Sequence, residues 1–584
     1  MRTHKLFLTV LAVAVLLPAG LVQSHDDVIG TRFVAPEGQD EGDCDINHRP
    51  CRTLGYALTK VDPGDAIKLA AGSYDVSGID VENLLLGKEG VRGGYSADDH
   101  FRIQDAENNL TLVAGVPDAF RNNFIAHGFT VVDHKGDPLP RIILPKLAVP
   151  TACTNGMAGT FPCHNIDYLA QVQLQEIPTA PTSASEIWGI VDLDDNREYA
   201  ILGHRNGTAF YDVTTPGTPV LIANISGNAS LWREVKAYQF FDAGLGRHRA
   251  YAYATTEAPG GGLQIFDLTD LPNSVTLANT LTDFSTSHTL YISNIDYATN
   301  AALPGATPYL VIAGANIGGG AFRIYDLANP TAPTLVTPPP AGTGYMHDST
   351  SMLITDNRTT QCANAHNPCQ VLVDFNETSV DLWDVTDKAA PVRLSATTYP
   401  TATYVHSGWP TADNMFIVVH DELDELRRSL NTQIYTLDIA DLRTPSLVTS
   451  YTGGTTTTDH NGYTIGNRYY VSHYKRGLVI FDVTNPRALQ EIGSFDTYLS
   501  PSANSAGTDG AWGVYPFLTS GTLLVSDIEN GMFVLRKNET LPPPVSNNPP
   551  PRASGGGGGG AFDPLILILL AGFAMLRARR KTRQ

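Results

Sequence analysis

The middle of this chain repeats itself, and that constrains its fold more than anything else in the sequence. The recurring cores are GTAFYDVTTPGTPVLI from Gly207, GLQIFDLTDLPNSVTL from Gly262, AFRIYDLANPTAPTLV from Ala321, SVDLWDVTDKAAPVRL from Ser379, TQIYTLDIADLRTPSLV from Thr432 and GLVIFDVTNPRALQEI from Gly477. A shortened copy, GMFVLRKN, starts at Gly531. The shared aspartates Asp212, Asp267, Asp326, Asp384, Asp438 and Asp482 fall 44 to 59 residues apart, and Leu535 stands near that place in the seventh copy. A period of this size, with room for about four short strands per unit, is the signature of a β-propeller. Each unit reads as an apolar strand, a second strand such as YLVIAGA, a glycine turn, the strand ending in the aspartate, and a last strand after the proline. The aspartate has a structural reason: its carboxylate can accept nearby backbone N–H groups, and the following proline ends strand pairing.

The seventh copy stops after its third strand, where a proline-rich stretch begins. IDYLAQVQLQEI, Ile166 to Ile177, reads as a fourth strand with nothing before it, so pairing it with the last blade would close the ring and remove two exposed edges. The expectation is an all-β chain: a seven-bladed propeller within 151–537, its blades spanning about 164–537, with a small β-rich accessory region at 25–150 packed on or beside it. Sparse charge (17%) and recurring Val, Thr and Tyr agree with strands over helices. The net charge of −20 argues against nucleic acid, because phosphate binding needs clustered Lys and Arg.

The ends point to export. Met1-Arg-Thr-His-Lys5, an apolar run from Leu6 to Leu17 and small polar residues near Ser24 read as a secretory signal peptide over 1–24. The six cysteines fall into close pairs, Cys44/Cys51, Cys153/Cys163 and Cys362/Cys369, which in an exported chain suggests three small disulfide loops; zinc is the competing reading, but no pair has CxxC spacing. A Pro/Gly-rich linker at 538–560 precedes an apolar segment and basic tail at 561–584. A helix over Phe562–Leu576 reaches only about 22 Å, short of the roughly 30 Å hydrocarbon core, and its basic end should stay cytoplasmic. A short span after a glycine run, ending in arginines, resembles the GlyGly-CTERM sorting signal of Gram-negative bacteria. That resemblance implies handling by a membrane-associated protease or sorting machinery and release or attachment at the outer surface; a plain membrane anchor, the tail initially spanning the inner membrane, is the alternative. CRTLGYALTKVDPGDAIKLAAGSYDV resembles the opening turn of right-handed parallel β-helix proteins, with one clear rung from Arg32 to about Val76.

In a blade the first strand lines the axis, and its start lies on the same face as the end of the second. First-strand starts carry WGIVD from Trp188, WREVKAY from Trp232, HTLYIS from His288, HDSTSML from His347, HSGWP from His406, DHNGYTI from Asp459 and DGAWGVYP from Asp509. Second-strand ends carry His204, Glu257, Asn316, Asp374, His420 with Asp421 and Glu422, His473, and Asp527. The candidate metal ligands are therefore His347, Asp348, His406, His420, Asp421, Glu422, Asp459 and His460, an arc around blades four to six. Mixed imidazole and carboxylate suits zinc or another transition metal, and the acidic run from Asp421 to Glu425 suits calcium. An ordered polar network and catalysis are the other roles open to these groups.

WGIVD, WREVKAY, GGGLQIFDLTDL, YMHDS, HSGWP, HDELDE, DHNGY and GLVIFDV together resemble the choice-of-anchor B family of LVIVD-repeat propellers, over about Cys153 to Leu535. The resemblance implies a secreted, surface-associated propeller and carries no activity with it. Two functions follow as expectations. One is a non-enzymatic binding module for an extracellular macromolecule or glycan. The other is a metal-dependent, lactonase-like hydrolase, which would need an open coordination position. A nucleophile-based hydrolase lacks its G-x-S-x-G motif, and covalent haem lacks CxxCH.

Overall fold

The computed structural model describes residues 30–81, 84, 90–337, 344–500 and 503–538. The expected signal peptide, the linker beyond Asn538 and the hydrophobic C-terminal segment lie outside them. Among the described residues no helix is long and apolar enough to cross a membrane.

Seven antiparallel sheets form a β-propeller. The blades are built by residues 184–226, 235–281, 289–337, 348–397, 405–452, 461–495 and 511–537, and the first strands of neighbouring blades touch all the way round the axis. The seventh blade takes its fourth strand from upstream: Ile166–Val172 pairs antiparallel with Gly531–Lys537, from Val172 against Met532 to Ile166 against Lys537. The sixth blade is extended by Phe161–His164, which pairs with its outer strand Gln490–Phe495. The closing seam is aromatic, with the ring centroids of Phe161 and Phe533 5.6 Å apart and those of Phe495 and Phe533 6.2 Å apart.

The repeat aspartates are turn residues. Asp212, Asp267, Asp326, Asp384, Asp438 and Asp482 each accept the backbone N–H two residues on, at 2.6–2.9 Å. Just before this turn the third strand slips register against the fourth in every blade, the seventh included, where the slip at Val534/Leu535 puts Arg536 in the aspartate's place. Such a bulge bends the strand and increases its twist. The repeated sequence thus encodes a repeated kink followed by a side-chain-capped turn.

Residues 30–132 form a short parallel solenoid. Thr31–Val34, Ala66–Ala70 and Gly90–Tyr95 make one parallel sheet, and Gly72–Asp75, Thr111–Ala114 and Thr130–Val132 make the other. The accessory region is β-helix-like over more rungs than the single one legible in the sequence. It has its own apolar core, including Ile67, Leu69, Val91, Val113, Phe124 and Val131. Disulfides join Cys44–Cys51, Cys153–Cys163 and Cys362–Cys369, and no described cysteine is left over.

The solenoid sits over the end of the propeller where the first strands begin. Ala126 packs with Leu231, Tyr474, Trp512 and Ile528, and Ala66 with Tyr404, Leu423, Leu426 and Ala506. The Arg92 guanidinium lies 4.2 Å from the Trp232 ring centroid, and His127 Nε2 lies 3.1 Å from Asp509 Oδ1.

Fully buried Phe533 tests the seam. Phe533→Ala should cost about 3–5 kcal/mol, read as a fall in the urea midpoint, whereas Val220→Ala on an exposed outer strand should stay within about 0.5 kcal/mol. Equal effects would mean that the seventh blade does not close the ring as described.

Candidate functional site

The repeat places one side chain per blade at the solenoid-covered end of the axis. Trp232, His288, His347, His406, His460 and Trp512 come from blades two to seven in order. Neighbouring ring centroids lie 4.2 Å apart for His288–His347, 4.2 Å for His347–His406, 4.6 Å for His406–His460 and 5.3 Å for His460–Trp512. Local backbone irregularity helps to aim them. The first strand of blade five slips register between Val405 and Ser407, and that of blade seven between Ala511 and Gly513, so His406 and Trp512 sit on the bulges.

Hydrogen bonds between blades hold the spacing. Thr289 Oγ1 donates to the His347 carbonyl at 2.7 Å, Ser407 Oγ to the His460 carbonyl at 2.6 Å and Ser472 Oγ to the Trp512 carbonyl at 2.9 Å. The rings are oriented in the same way. Nδ1 of His347 lies 3.1 Å from the His406 carbonyl, and Nδ1 of His460 lies 2.6 Å from the Trp512 carbonyl. Nδ1 of His288 lies 2.5 Å from Glu257 Oε1. A carbonyl oxygen can only accept, so Nδ1 carries the proton in His347 and His460, and in the neutral ring Nε2 is the basic nitrogen.

Glu422, at the end of the second strand of blade five, completes the centre. Its carboxylate lies 3.6 Å from His406 Nε2 and 3.9 Å from His460 Nε2, and it accepts the Tyr474 hydroxyl at 2.5 Å. All three residues are buried. The two His–Glu separations are long for hydrogen bonds. They approach the roughly 3.4 Å expected between two ligands held about 2.1 Å from one ion at a tetrahedral angle.

The sequence-derived arc divides in two. His347, His406, His460 and Glu422 meet at the axis, whereas His420 and Asp459 pair between blades five and six, and Asp421 faces the connection between blades four and five. His420 Nδ1 meets the Asp459 carboxylate and its Nε2 lies 2.7 Å from the Tyr469 hydroxyl. Asp421 accepts the Thr403 N–H at 2.8 Å, the Tyr404 N–H at 2.7 Å and the Tyr399 hydroxyl at 3.0 Å. Burial still pushes its carboxyl up to about 6. Asp424 is pushed further, to about 8, by burial and by Asp421 and Asp459. With its oxygens committed to three donors, Asp421 is a loop tie more than a calcium ligand.

Asp348 lies deeper, in a small cavity of about 30 Å³ along the axis that all four histidines also line. There Lys236 is ion-paired with Glu234 and stands 4.3 Å from the Trp188 ring centroid. Burial raises Asp348 and pushes Glu186 up to about 7, with Lys236 opposing both shifts. Trp409 and Tyr463 also line this cavity, their ring centroids 4.8 Å apart. A second cavity, about 20 Å³, lies on the solenoid side; Arg92, His127, Glu422 and Tyr474 are among the residues that line it.

His288, Trp232 and Trp512 belong to the ring but not to the sequence-derived ligand set. HTLYIS and WREVKAY stood in the repeat alignment, so position was the available signal. Arg92 and His127 had none, because nothing in the sequence says that the solenoid covers this end.

Burial holds the buried His473 imidazole down at about 4, against an ordinary 6.5. Between those values the unfolded chain binds a proton that the folded chain refuses, so this residue lowers stability as pH falls from about 6.5 towards 4. His473→Gln should therefore flatten the acid side of the stability–pH curve, measured by urea unfolding at a series of pH values. A slope unchanged in the variant would mean that His473 titrates normally.

A family profile described as the LVIVD repeat matches residues 464–497, which span most of the sixth blade and the two residues after it. No curated protein matches the chain. Among solved structures, similarity extends to a proposed 6-phosphogluconolactonase from Bacteroides uniformis, with 12% identity, TM-score 0.37, 59% of this chain and 88% of that one covered. It extends also to the β-propeller domain of Cps50 (Swd1) from Myceliophteria thermophila, with 10% identity, TM-score 0.35, and 60% and 95% covered. Likeness this distant carries no activity across. The strand ladders make the chain a seven-bladed β-propeller, and the profile match places an LVIVD repeat at its sixth blade.

Proposed function

We propose that this protein is an exported, surface-associated binding module that holds a divalent metal ion where its solenoid meets its propeller. A β-propeller fold supports an interaction role in general terms. The observation that carries the metal is the buried set His406, Glu422 and His460, with both imidazole Nε2 atoms turned to one carboxylate at 3.6 and 3.9 Å. Two histidines and a carboxylate suit zinc or a related ion better than calcium, which prefers an all-oxygen shell. When bound, the ion would link blades five and six directly beneath the solenoid.

Surface attachment rests on the signal-like start and the glycine-run, apolar, arginine-rich end of the sequence. The partner is an extracellular macromolecule or glycan. It would use surfaces other than the histidine end, since the solenoid lies over that end. A metal-activated water and hydrolysis form a second reading, favoured by the cavity beside Glu422.

Elemental analysis of the purified protein after zinc loading and exhaustive dialysis tests the metal reading. About one zinc per chain is expected, lost in the His406→Ala/His460→Ala double variant. Zinc retained by the double variant, or absent from the parent protein, would leave the three residues as a polar network. Measuring lactone and ester hydrolysis on the same loaded sample separates the two readings, with turnover abolished in the double variant required for the hydrolase.

A further inference from the structure

We propose that His127, Asp509 and Glu529 form a second divalent-metal site, separate from the axial centre, that clasps the solenoid to the seventh blade. One donor atom from each lies within 4.8 Å of those of the other two. The three come from distant parts of the chain. His127 follows the short solenoid helix Arg121–Ala126, Asp509 stands just before the first strand of blade seven, and Glu529 lies in the turn between that blade's second and third strands. All three are buried, the side chains of His127 and Asp509 being 7% and 3% exposed.

The orientation of the imidazole carries the inference. His127 Nδ1 lies 3.2 Å from the Val91 carbonyl, which can only accept, so Nδ1 holds a proton. Nε2 faces Asp509 Oδ1 at 3.1 Å. In the neutral ring two lone pairs then meet, and Asp509 Oδ1 is a buried oxygen that no aligned hydrogen bond reaches. Either a second proton on the ring or a cation has to lie between them. A carbonyl behind Nδ1 is the usual support of a metal-binding histidine, because it fixes the tautomer and raises the basicity of Nε2. The 3.1 Å separation also falls between the roughly 3.0 Å and 3.4 Å expected for two ligands about 2.1 Å from one ion at octahedral and tetrahedral angles.

Charge agrees. Asp509, Asp527 and Glu529 are three buried carboxyl groups, set against the ammonium of Lys475 and the guanidinium of Arg141. Burial, Asp509 and Asp527 push the Glu529 carboxyl well above the usual range. A dication would supply the charge that a proton on Glu529 otherwise supplies, and would release that proton on binding. Lys475 stands on the far oxygen of Asp509, 3.7 Å from Oδ2, and also donates to the Ala506 carbonyl at 3.1 Å. It leaves Oδ1 to the ion but lowers the affinity, so this ion leaves on exhaustive dialysis and has to be read at equilibrium. One imidazole and two carboxylates suit manganese, iron(II) or zinc.

Manganese(II) is the probe, in the full chain carrying His406→Ala and His460→Ala so that the axial set is silent. Free ion is followed by electron paramagnetic resonance through a titration without dialysis. About one manganese per chain is expected, with a proton released to the buffer. Adding Asp509→Asn or His127→Gln should weaken binding about tenfold or more. Lys475→Gln removes the competing charge and should tighten binding, the opposite of what a misfolded variant would do.

If no manganese saturates the background protein, or if Asp509→Asn and His127→Gln leave the affinity unchanged, the clasp falls and the three residues are an ion-pair network. The His406–Glu422–His460 reading survives either result, since two of its ligands are absent from the protein tested.

Discussion

A ring of seven sheets is stable only if its last sheet is completed, and here that depends on one borrowed strand. Ile166–Val172 lies upstream of the first blade yet pairs with Gly531–Lys537 at the end of the seventh. Without it, two strand edges would stay open and the first strands would not be held in a closed circle. Everything at the axis follows from closure, because side chains from different blades meet only when the inner strands stand side by side. The same upstream segment carries the Cys153–Cys163 bridge and extends the sixth blade through Phe161–His164. The closing strand therefore also fixes where the solenoid can lie.

Covering the axis with the solenoid changes the chemistry of what is beneath it. Buried charges are costly unless paired or neutralised, and this end of the propeller uses both remedies. Asp509 faces His127 and Lys475, whose charges, with the His127 hydrogen bond, hold its carboxyl well below the usual range despite burial. Asp424 and Glu186 go the other way, burial pushing their carboxyls up to about 8 and about 7. The solenoid thus encloses the histidine arc and helps to set the local charge.

The hairpin from Tyr404 to Glu425 shows how finely the fold sorts adjacent residues. His420, Asp421 and Glu422 are consecutive, yet His420 turns to Asp459 and Tyr469, Asp421 ties the loop at Thr403 and Tyr404, and Glu422 meets His406, His460 and Tyr474. Alternation along a strand and the turn that ends it send neighbours to different environments. One polar run therefore serves the interior packing of two blades and the axial centre together.

The repeat made the architecture legible before any coordinates. Asp212 and its counterparts, the proline after each, and the truncated copy at Gly531 define the number of blades and the missing strand, because strand turns and edge pairing are local, repeated problems. The cysteine pairs were legible for the same reason, being close in sequence. The axial centre was legible in part: aligned repeats place His347, His406, His460 and Glu422 at one end, but cannot separate them from His420, Asp421 and Asp459, which differ only in the direction a side chain takes. That direction is set by pleat, bulge and neighbouring blade, none of which the sequence states. The solenoid was legible as one β-helix-like rung, and its seat over the histidines was not, since packing between distant segments leaves no periodic trace. Sequence alone determined the ring and which residues stand at one end of its blades; the tertiary structure decided which of them face the axis and meet, because only pleat, closure and capping bring side chains from separate blades within bonding distance.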